Sequence, residues 1–531
     1  MTLLGTSIIN GAAVASSSAT FTAVNPATSS PLAPPFHEAT LGDLDNAAQA
    51  AALAFDSYRR TTPVQRAQLL ERIATEIDAL GDSLIQRANA ETGLPEARLA
   101  GERGRTTTQL RAFAALITDG SWVDARIDRA QPERKPLPRP DIRRMLRPIG
   151  PVLVYGASNF PLAFSAAGGD AASALAAGCP VVLKAHPAHP GTSELVMQAM
   201  STALVACGLP PGTVSLIQSS LTEISTALVQ HPLIQAVGFT GSLGAGRAIY
   251  NAAAARPTPI PVYSEMGSIN PVFLLPGALA ERGTAIAEGF VASLTLGVGQ
   301  FCTNPGVVVA IASPHLDAFL AAATALVTKA APGSMLYEGI RRRYDSGIAA
   351  LAGRAGVALA AQASQPADPA RTQAGARLYR VSAATFLADA HLREEIFGPS
   401  AIVVVCSSAA EVEAVARIIP GQLTATIHAA PGDLGASGAL ADILVQRVGR
   451  LLWNGFPTGV EVCPAMVHGG PYPATTDARS TSVGTAAIER FVRPVCYQNA
   501  PQDLLPPELQ NANPRGIWRT VDSTLTREPL L

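Results

Sequence analysis

Between residues 151 and 265, short and almost wholly apolar runs alternate with longer stretches whose apolar positions recur at helical spacing. The runs at 151–155, 181–184, 214–218, 234–240 and 261–265 read as buried strands, and 191–206, 221–230 and 244–255 as helices between them. After the first run, a turn holding Gly156 and Asn159 leads into an alanine-rich helix that ends near Gly178. Strands apolar on both faces and separated by helices predict right-handed βαβ crossovers, hence a parallel sheet covered on both sides.

The flanking segments are patterned differently. Residues 1–40, punctuated by Pro26, Pro31, Pro34 and Pro35, read as short strands joined by turns. Thr62-Pro63-Val64-Gln65 has the form of a capping box with proline in the first helical position, and Leu69, Leu70, Ile73, Ile77 and Leu80 continue an apolar stripe. Residues 126–148 break the pattern with prolines and alternating charges and read as an exposed arm or a solvated linker. Beyond 265, a helix at 286–296, a polar glycine-rich loop at 297–306 and a strand at 307–311 open a second α/β unit that runs to about residue 450. It includes a strand at 401–405, and the alanine-rich stretch 349–374 reads as helix and loop.

Composition narrows the class. The chain has 531 residues, enough for at least two packed units, and its 48% hydrophobic and 15% charged content excludes a disordered or coiled-coil chain. Its 39 basic residues are scattered among 40 acidic ones, so there is no electrostatic footprint for nucleic acid. The six cysteines include no CxxC pair, which fits reduced thiols in a cytoplasm and not a zinc ribbon or thioredoxin motif. Met1 to Gly5 lack a basic signal-peptide region, and no apolar run reaches the roughly 18 residues of a membrane span. A soluble cytoplasmic protein without a membrane partner is expected.

Parallel sheets bind ligands outside the carboxyl ends of their strands. Asn159, Lys184, Thr240-Gly241-Ser242 and Glu265 all stand at such ends, which points to a dinucleotide crevice although no GxGxxG is present. Cys302 lies in the Gly297–Gly306 loop, where glycines let backbone N–H groups approach and lower a thiol pKa, so it is a candidate nucleophile. Cys179, Cys207, Cys406, Cys463 and Cys496 sit among apolar residues or prolines and read as packing. Asn159 fits either a helix cap or an amide donor to an oxyanion. Glu265 fits either an ion pair or a general base whose pKa a dry site would raise. His186 and His189 are separated by Pro187 without a third ligand, so no metal is expected. No histidine neighbours Cys302 in sequence, which argues against a thiol ester hydrolase.

Five motifs taken together resemble the aldehyde dehydrogenase superfamily over nearly the whole chain. Ala157-Ser158-Asn159-Phe160-Pro161-Leu162 is similar to its oxyanion segment, Phe239-Thr240-Gly241-Ser242 to its cofactor turn and Glu265-Met266-Gly267 to its general-base motif. Gly299-Gln300-Phe301-Cys302 resembles its nucleophile loop, and Glu395-Ile396-Phe397-Gly398-Pro399 its nicotinamide-ribose motif. The wording of 261–271, 296–305 and 454–460, followed by His468-Gly469-Gly470-Pro471, resembles the branch that oxidises α-ketoglutaric semialdehyde (2,5-dioxovalerate) in pentose, sugar-acid or hydroxyproline breakdown. That branch also holds NADP-dependent fatty aldehyde dehydrogenases.

The resemblance implies two Rossmann-like parallel-sheet α/β domains plus an oligomerisation arm. Residues 1–125 and 149–263 would bind cofactor and 264–465 would form the catalytic domain. Residues 126–148 and 466–531 would be the arm and tail of a homodimer or homotetramer, with the arm and a strand at 486–495 crossing between subunits. The tail after Ala500 would wrap the partner or fray. Cys302 would attack the aldehyde, Asn159 and the Cys302 N–H would hold the oxyanion, and Glu265 would activate water for thioester hydrolysis. Ser158, Lys184, Thr240, Gly241, Ser242, Glu395 and Phe397 would hold the nicotinamide cofactor. Phe160, Phe164, Phe301 and Phe456 would wall the aldehyde tunnel. Arg105 and Arg111 are candidates for a substrate carboxylate, or else surface ion pairs. NAD-favouring relatives carry a glutamate three residues after the strand lysine; here that residue is Pro187, so NADP is expected to be preferred and NAD possible.

Overall fold

The computed structural model describes residues 2–530. The five strands expected between 151 and 265 form the parallel part of a seven-stranded sheet. In space they run Val262–Glu265, Ala236–Thr240, Val152–Tyr155, Val181–Lys184, Val214–Ile217; Ser7–Ile9 and Ala12–Val14 then extend the sheet in antiparallel fashion. The chain builds outward from Val152–Tyr155 in one direction and afterwards, with Ala236–Thr240, in the other. The two loops leaving these neighbours therefore diverge and open a crevice, the switch point where such sheets take ligands.

Local signals explain several elements. The helix Pro63–Ala79 carries the full capping box, with Thr62 Oγ1 accepting from Gln65 N and the Gln65 side chain accepting from Thr62 N. Its stripe, Leu69, Leu70, Ile73 and Ile77, is buried in the core beneath the first sheet. The alanine-rich helix is shorter than expected: it spans only Gly169–Ala177. The preceding segment stays irregular because the buried Glu102 carboxylate takes the Leu162 and Ala163 N–H groups at 2.9 and 3.0 Å.

A second seven-stranded sheet runs Ala358–Gln362, Arg377–Ser382, Ser400–Cys406, Val307–Ile311, Val272–Leu274, Gln422–His428, Val448–Trp453. All of its neighbours are parallel except the edge strand Ala358–Gln362. That strand, and the short Gln373–Ala374, correct the reading of 349–374 as helix and loop. The helix before the cysteine loop starts ten residues early, spanning Pro276–Thr295. It bends at Arg282, and Asp433 accepts the Gly277 and Ala278 N–H groups, so its first turn is fixed from outside the local pattern.

The arm and tail form a third, five-stranded sheet in the order Val492–Gln498, Ile142–Pro148, Arg126–Asp128, Arg519–Val521, Thr524–Thr526. The tail does not fray in this chain. Arg519–Val521 pairs in parallel with Arg126–Asp128, and Leu505, Leu509, Ile517 and Val521 bury against Ile127 and Met145. The strand expected at 486–495 lies at Val492–Gln498, after the 3-10 segment Thr485–Phe491.

Candidate active site

A cavity of about 430 Å³ lies at the carboxyl ends of the first sheet and is closed from the second unit by Tyr337, Arg343, Glu395, Ile396 and Phe397. Ser158, Lys184, Thr240, Gly241 and Ser242 line it, together with Asn159, Glu265 and Cys302. Every residue expected to hold cofactor or perform chemistry thus meets one space, although the cysteine and Glu395 come from the other α/β unit. Ser242 Oγ accepts from Ala245 N and caps the helix Leu243–Ala254, whose free N–H groups suit an anion. Lys184 is buried without an ion-pair partner among the described residues, and burial lowers its pKa to about 8. A buried cation and an open helix N-terminus that line one cavity suit a phosphorylated ligand. Glu395, half-buried and accepting from Ser268 N at 3.3 Å, is raised to about 7 by desolvation.

The cysteine loop is held by its backbone. Gly297, Val298 and Gly299 all have positive φ, and a Cβ on Gly299 would lie 2.4 Å from the Gly398 carbonyl carbon. Asn270 Nδ2 donates to the carbonyls of Cys302 and Asn304, each at 2.9 Å. Asn159 does not cap a helix. Its Nδ2 donates to Gln300 O at 3.1 Å, tying the first strand's loop to the cysteine loop and leaving the second amide hydrogen available to a substrate oxygen.

Glu265 departs from expectation. Burial alone would raise its pKa, but His468 and Ser482 outweigh burial and hold it below the ordinary carboxylate range. His468 Nε2 lies 2.9 Å from Glu265 Oε1, and Ser482 Oγ donates to Oε2 at 2.5 Å. Cys302 also departs, in the opposite sense. Burial, then the Glu265 charge, push its thiol well above the usual range despite the glycine-rich loop. The absence of a histidine near Cys302 holds only along the sequence: in space Cys302 Sγ is 3.3 Å from His468 Nε2. The sequence reading missed His468 and Ser482. The glycines after His468 were the available signal.

Phe160, Phe164 and Phe301 come together, with ring centroids 5.3 Å apart for Phe160–Phe164 and 5.5 Å for Phe160–Phe301. Phe456 does not join them; its ring packs on His428 and Phe290 at 5.0 and 6.4 Å. The two candidate arginines separate cleanly. Arg111 is a surface residue paired with Asp78 at 2.9 Å, whereas Arg105 lies over the Phe164 ring with Nε and an Nη buried and unpartnered.

The aldehyde dehydrogenase family model matches residues 13–471 of this chain. The chain belongs to the aldehyde dehydrogenase family. It is 54% identical over 525 residues to alpha-ketoglutaric semialdehyde dehydrogenase 2 of Azospirillum brasilense, covering 98% of this chain and 99% of that one. It is 48% identical over 524 residues to alpha-ketoglutaric semialdehyde dehydrogenase of Acinetobacter baylyi, with the same coverage. Among solved structures, methylmalonate-semialdehyde dehydrogenase of Oceanimonas doudoroffii shares the fold with TM-score 0.79 and 21% identity, covering 93% of this chain and 97% of that one. As an aldehyde dehydrogenase the protein is an oxidoreductase acting on aldehydes with a nicotinamide cofactor. Among the described residues no helix is long and apolar enough to cross a membrane.

Proposed function

We propose that this aldehyde dehydrogenase oxidises 2,5-dioxovalerate (α-ketoglutaric semialdehyde) to 2-oxoglutarate and prefers NADP. The observation that carries the substrate is the full-length similarity, at 54% and 48% identity, to two enzymes named for it. Arg105 supports the same reading, since its buried and unpartnered N–H groups suit the carboxylate at the far end of an acidic aldehyde. The phenylalanine cluster packed beside Arg105 would wall an acidic aldehyde between that arginine and the thiol.

Cys302 attacks the aldehyde carbon, and the Asn159 amide, already anchored on Gln300 O, donates to the oxyanion. A bound nicotinamide would supply the hydride acceptor needed to oxidise the Cys302 thiohemiacetal to a thioester. Lys184, Ser158 and the Thr240–Ser242 turn would hold the cofactor's diphosphate and adenosine side; Glu395 and Phe397 would hold its nicotinamide end. Glu265, ionised between His468 and Ser482, takes a proton from the water that hydrolyses the thioester. Pro187 leaves no carboxylate to repel a 2′-phosphate, and Arg343 of the same cavity supplies a second cation.

The free thiols suit a cytoplasmic location. The outer edge of Val492–Gln498 is free to pair in a homodimer or homotetramer. The test is kcat/KM for 2,5-dioxovalerate, succinic semialdehyde and long-chain aldehydes with NADP and NAD. The dioxo acid with NADP should be the best combination; a higher value for a long-chain aldehyde would sink the substrate assignment.

A further inference from the structure

Asn159 lies in the irregular segment between the strand Val152–Tyr155 and the helix Gly169–Ala177, outside any sheet ladder. Neither its N–H nor its carbonyl makes a backbone hydrogen bond to the described residues. Two side-chain bonds hold it instead. Its own Nδ2 donates to Gln300 O at 3.1 Å, and its carbonyl accepts from Arg98 Nη2 at 2.8 Å. The first tie alone would leave the residue a pivot; the second fixes its peptide plane.

Arg98 comes from the first turn of the helix Glu96–Asp119. Its guanidinium lies over two rings at once, 5.0 Å from the Phe160 centroid and 4.8 Å from that of Phe301. Phe160 follows Asn159 and Phe301 precedes Cys302, so one planar cation rests against the chain neighbours of both. The cysteine loop closes around the same group: a Cβ on Gly297, where φ is +55°, would lie 2.8 Å from Arg98 Nη1. Nη1 is buried and makes no hydrogen bond to the described residues, so no acceptor competes there with the Asn159 carbonyl. Burial disfavours the guanidinium charge, and the Glu102 carboxylate one turn further on favours it. Glu102 also takes the Leu162 and Ala163 N–H groups, so successive turns of one helix grip segment 159–163 by a cation on a carbonyl and an anion on two N–H groups. Other arginines of this helix act elsewhere: Arg103 donates to Gly81 O and Arg111 pairs with Asp78.

We infer that Arg98 is a positioning residue for the oxyanion site: it clamps the Asn159 peptide to the cysteine loop and thereby fixes the Asn159 amide relative to the Cys302 N–H. This rests on the reading of Asn159 as an oxyanion donor. Two donors stabilise a tetrahedral oxyanion only when both reach one point, and a misplacement of about 1 Å costs up to about a hundredfold in rate. Lysine at this position could reach the carbonyl as a point charge but could not lie flat against both rings.

The clamp is tested by the single-turnover rate of cofactor reduction in the full-length enzyme, with the best of the aldehydes named above and saturating nicotinamide cofactor. Arg98→Met keeps the apolar stem and should lower that rate about tenfold while KM for the aldehyde stays within about twofold. Arg98→Lys should fall between parent and Arg98→Met. The double variant separates positioning from packing: with Asn159→Ala already present, Arg98→Met should slow the reaction by less than about twofold more, because the group it positions is gone. Arg98→Ala should regain part of its rate in millimolar guanidinium. If Arg98→Met fails to fold, Arg98→Lys carries the same cycle. A loss that persists undiminished beside Asn159→Ala, or an unchanged rate in the folded single variant, would overturn the assignment. Failure of the oxyanion reading looks different: Asn159→Ala alone would then leave the rate intact.

Discussion

The two halves of the cavity are built by different means. The side proposed to hold cofactor, from Ser158 through Lys184 to Ser242, sits on the ends of adjacent parallel strands and the loops leaving them, and the sheet's hydrogen bonds fix its geometry. The thiol side brings Asn159, Cys302, His468 and Ser482 from loops to Glu265 at a strand end, held by side-chain bonds such as Asn159–Gln300, Asn270–Cys302 and Ser482–Glu265. A regular scaffold tolerates substitution at its ligand contacts because the backbone carries the shape. An assembly of loops does not, because each contact also positions its neighbours.

Four changes probe that contrast. The largest effect is expected from Glu265→Gln, which removes the proposed water-activating base: turnover should fall about a hundredfold or more while acylated Cys302 accumulates, seen by mass spectrometry of the denatured enzyme. Asn159→Ala should lower kcat by about a hundredfold, since it removes the proposed oxyanion donor and the tie to Gln300 together. Arg105→Ala should raise KM for 2,5-dioxovalerate about tenfold and leave an uncharged aldehyde of similar length nearly unaffected, the signature of a lost carboxylate contact. Equal effects on both substrates would assign Arg105 to packing.

The smallest effect belongs to the cofactor side. Desolvation raises the Glu395 pKa to about 7, and in its proposed role only the carboxylate would accept two ribose hydroxyls. Cofactor KM should therefore rise as pH falls through about 7 and level off above it, roughly tenfold per unit well below the midpoint. Glu395→Gln should flatten that dependence without abolishing turnover. A KM that stays flat in the parent enzyme would remove Glu395 from cofactor binding.

The same contrast decides what was legible beforehand. Strands at 181–184 and 307–311 and the capping box at Thr62 are local, written in periodicity and turn chemistry, and the structure reproduces them. Polar residues at strand ends inherit that legibility, as Lys184 and Glu265 do. His468 lies in an irregular stretch after Val448–Trp453, with no period to place it, and its neighbours are set by glycines whose need appears only in three dimensions. The thiol and carboxylate ionisations escape a local reading for the same reason: desolvation and Glu265 govern the thiol, His468 and Ser482 the carboxylate, and none of these is local. Phe456 follows a strand and has a tunnel aromatic's composition, yet Gly289 and Phe290 of a neighbouring helix draw it elsewhere.

The late position of His468 and Ser482 has a consequence for synthesis. A ribosome emits Glu265 and Cys302 well before either residue, so a nascent chain carries the carboxylate and the sulfur without two of their neighbours in the folded site. The contacts of Cys302 with His468 and of Glu265 with Ser482 can therefore close only after nearly the whole chain has left the ribosome.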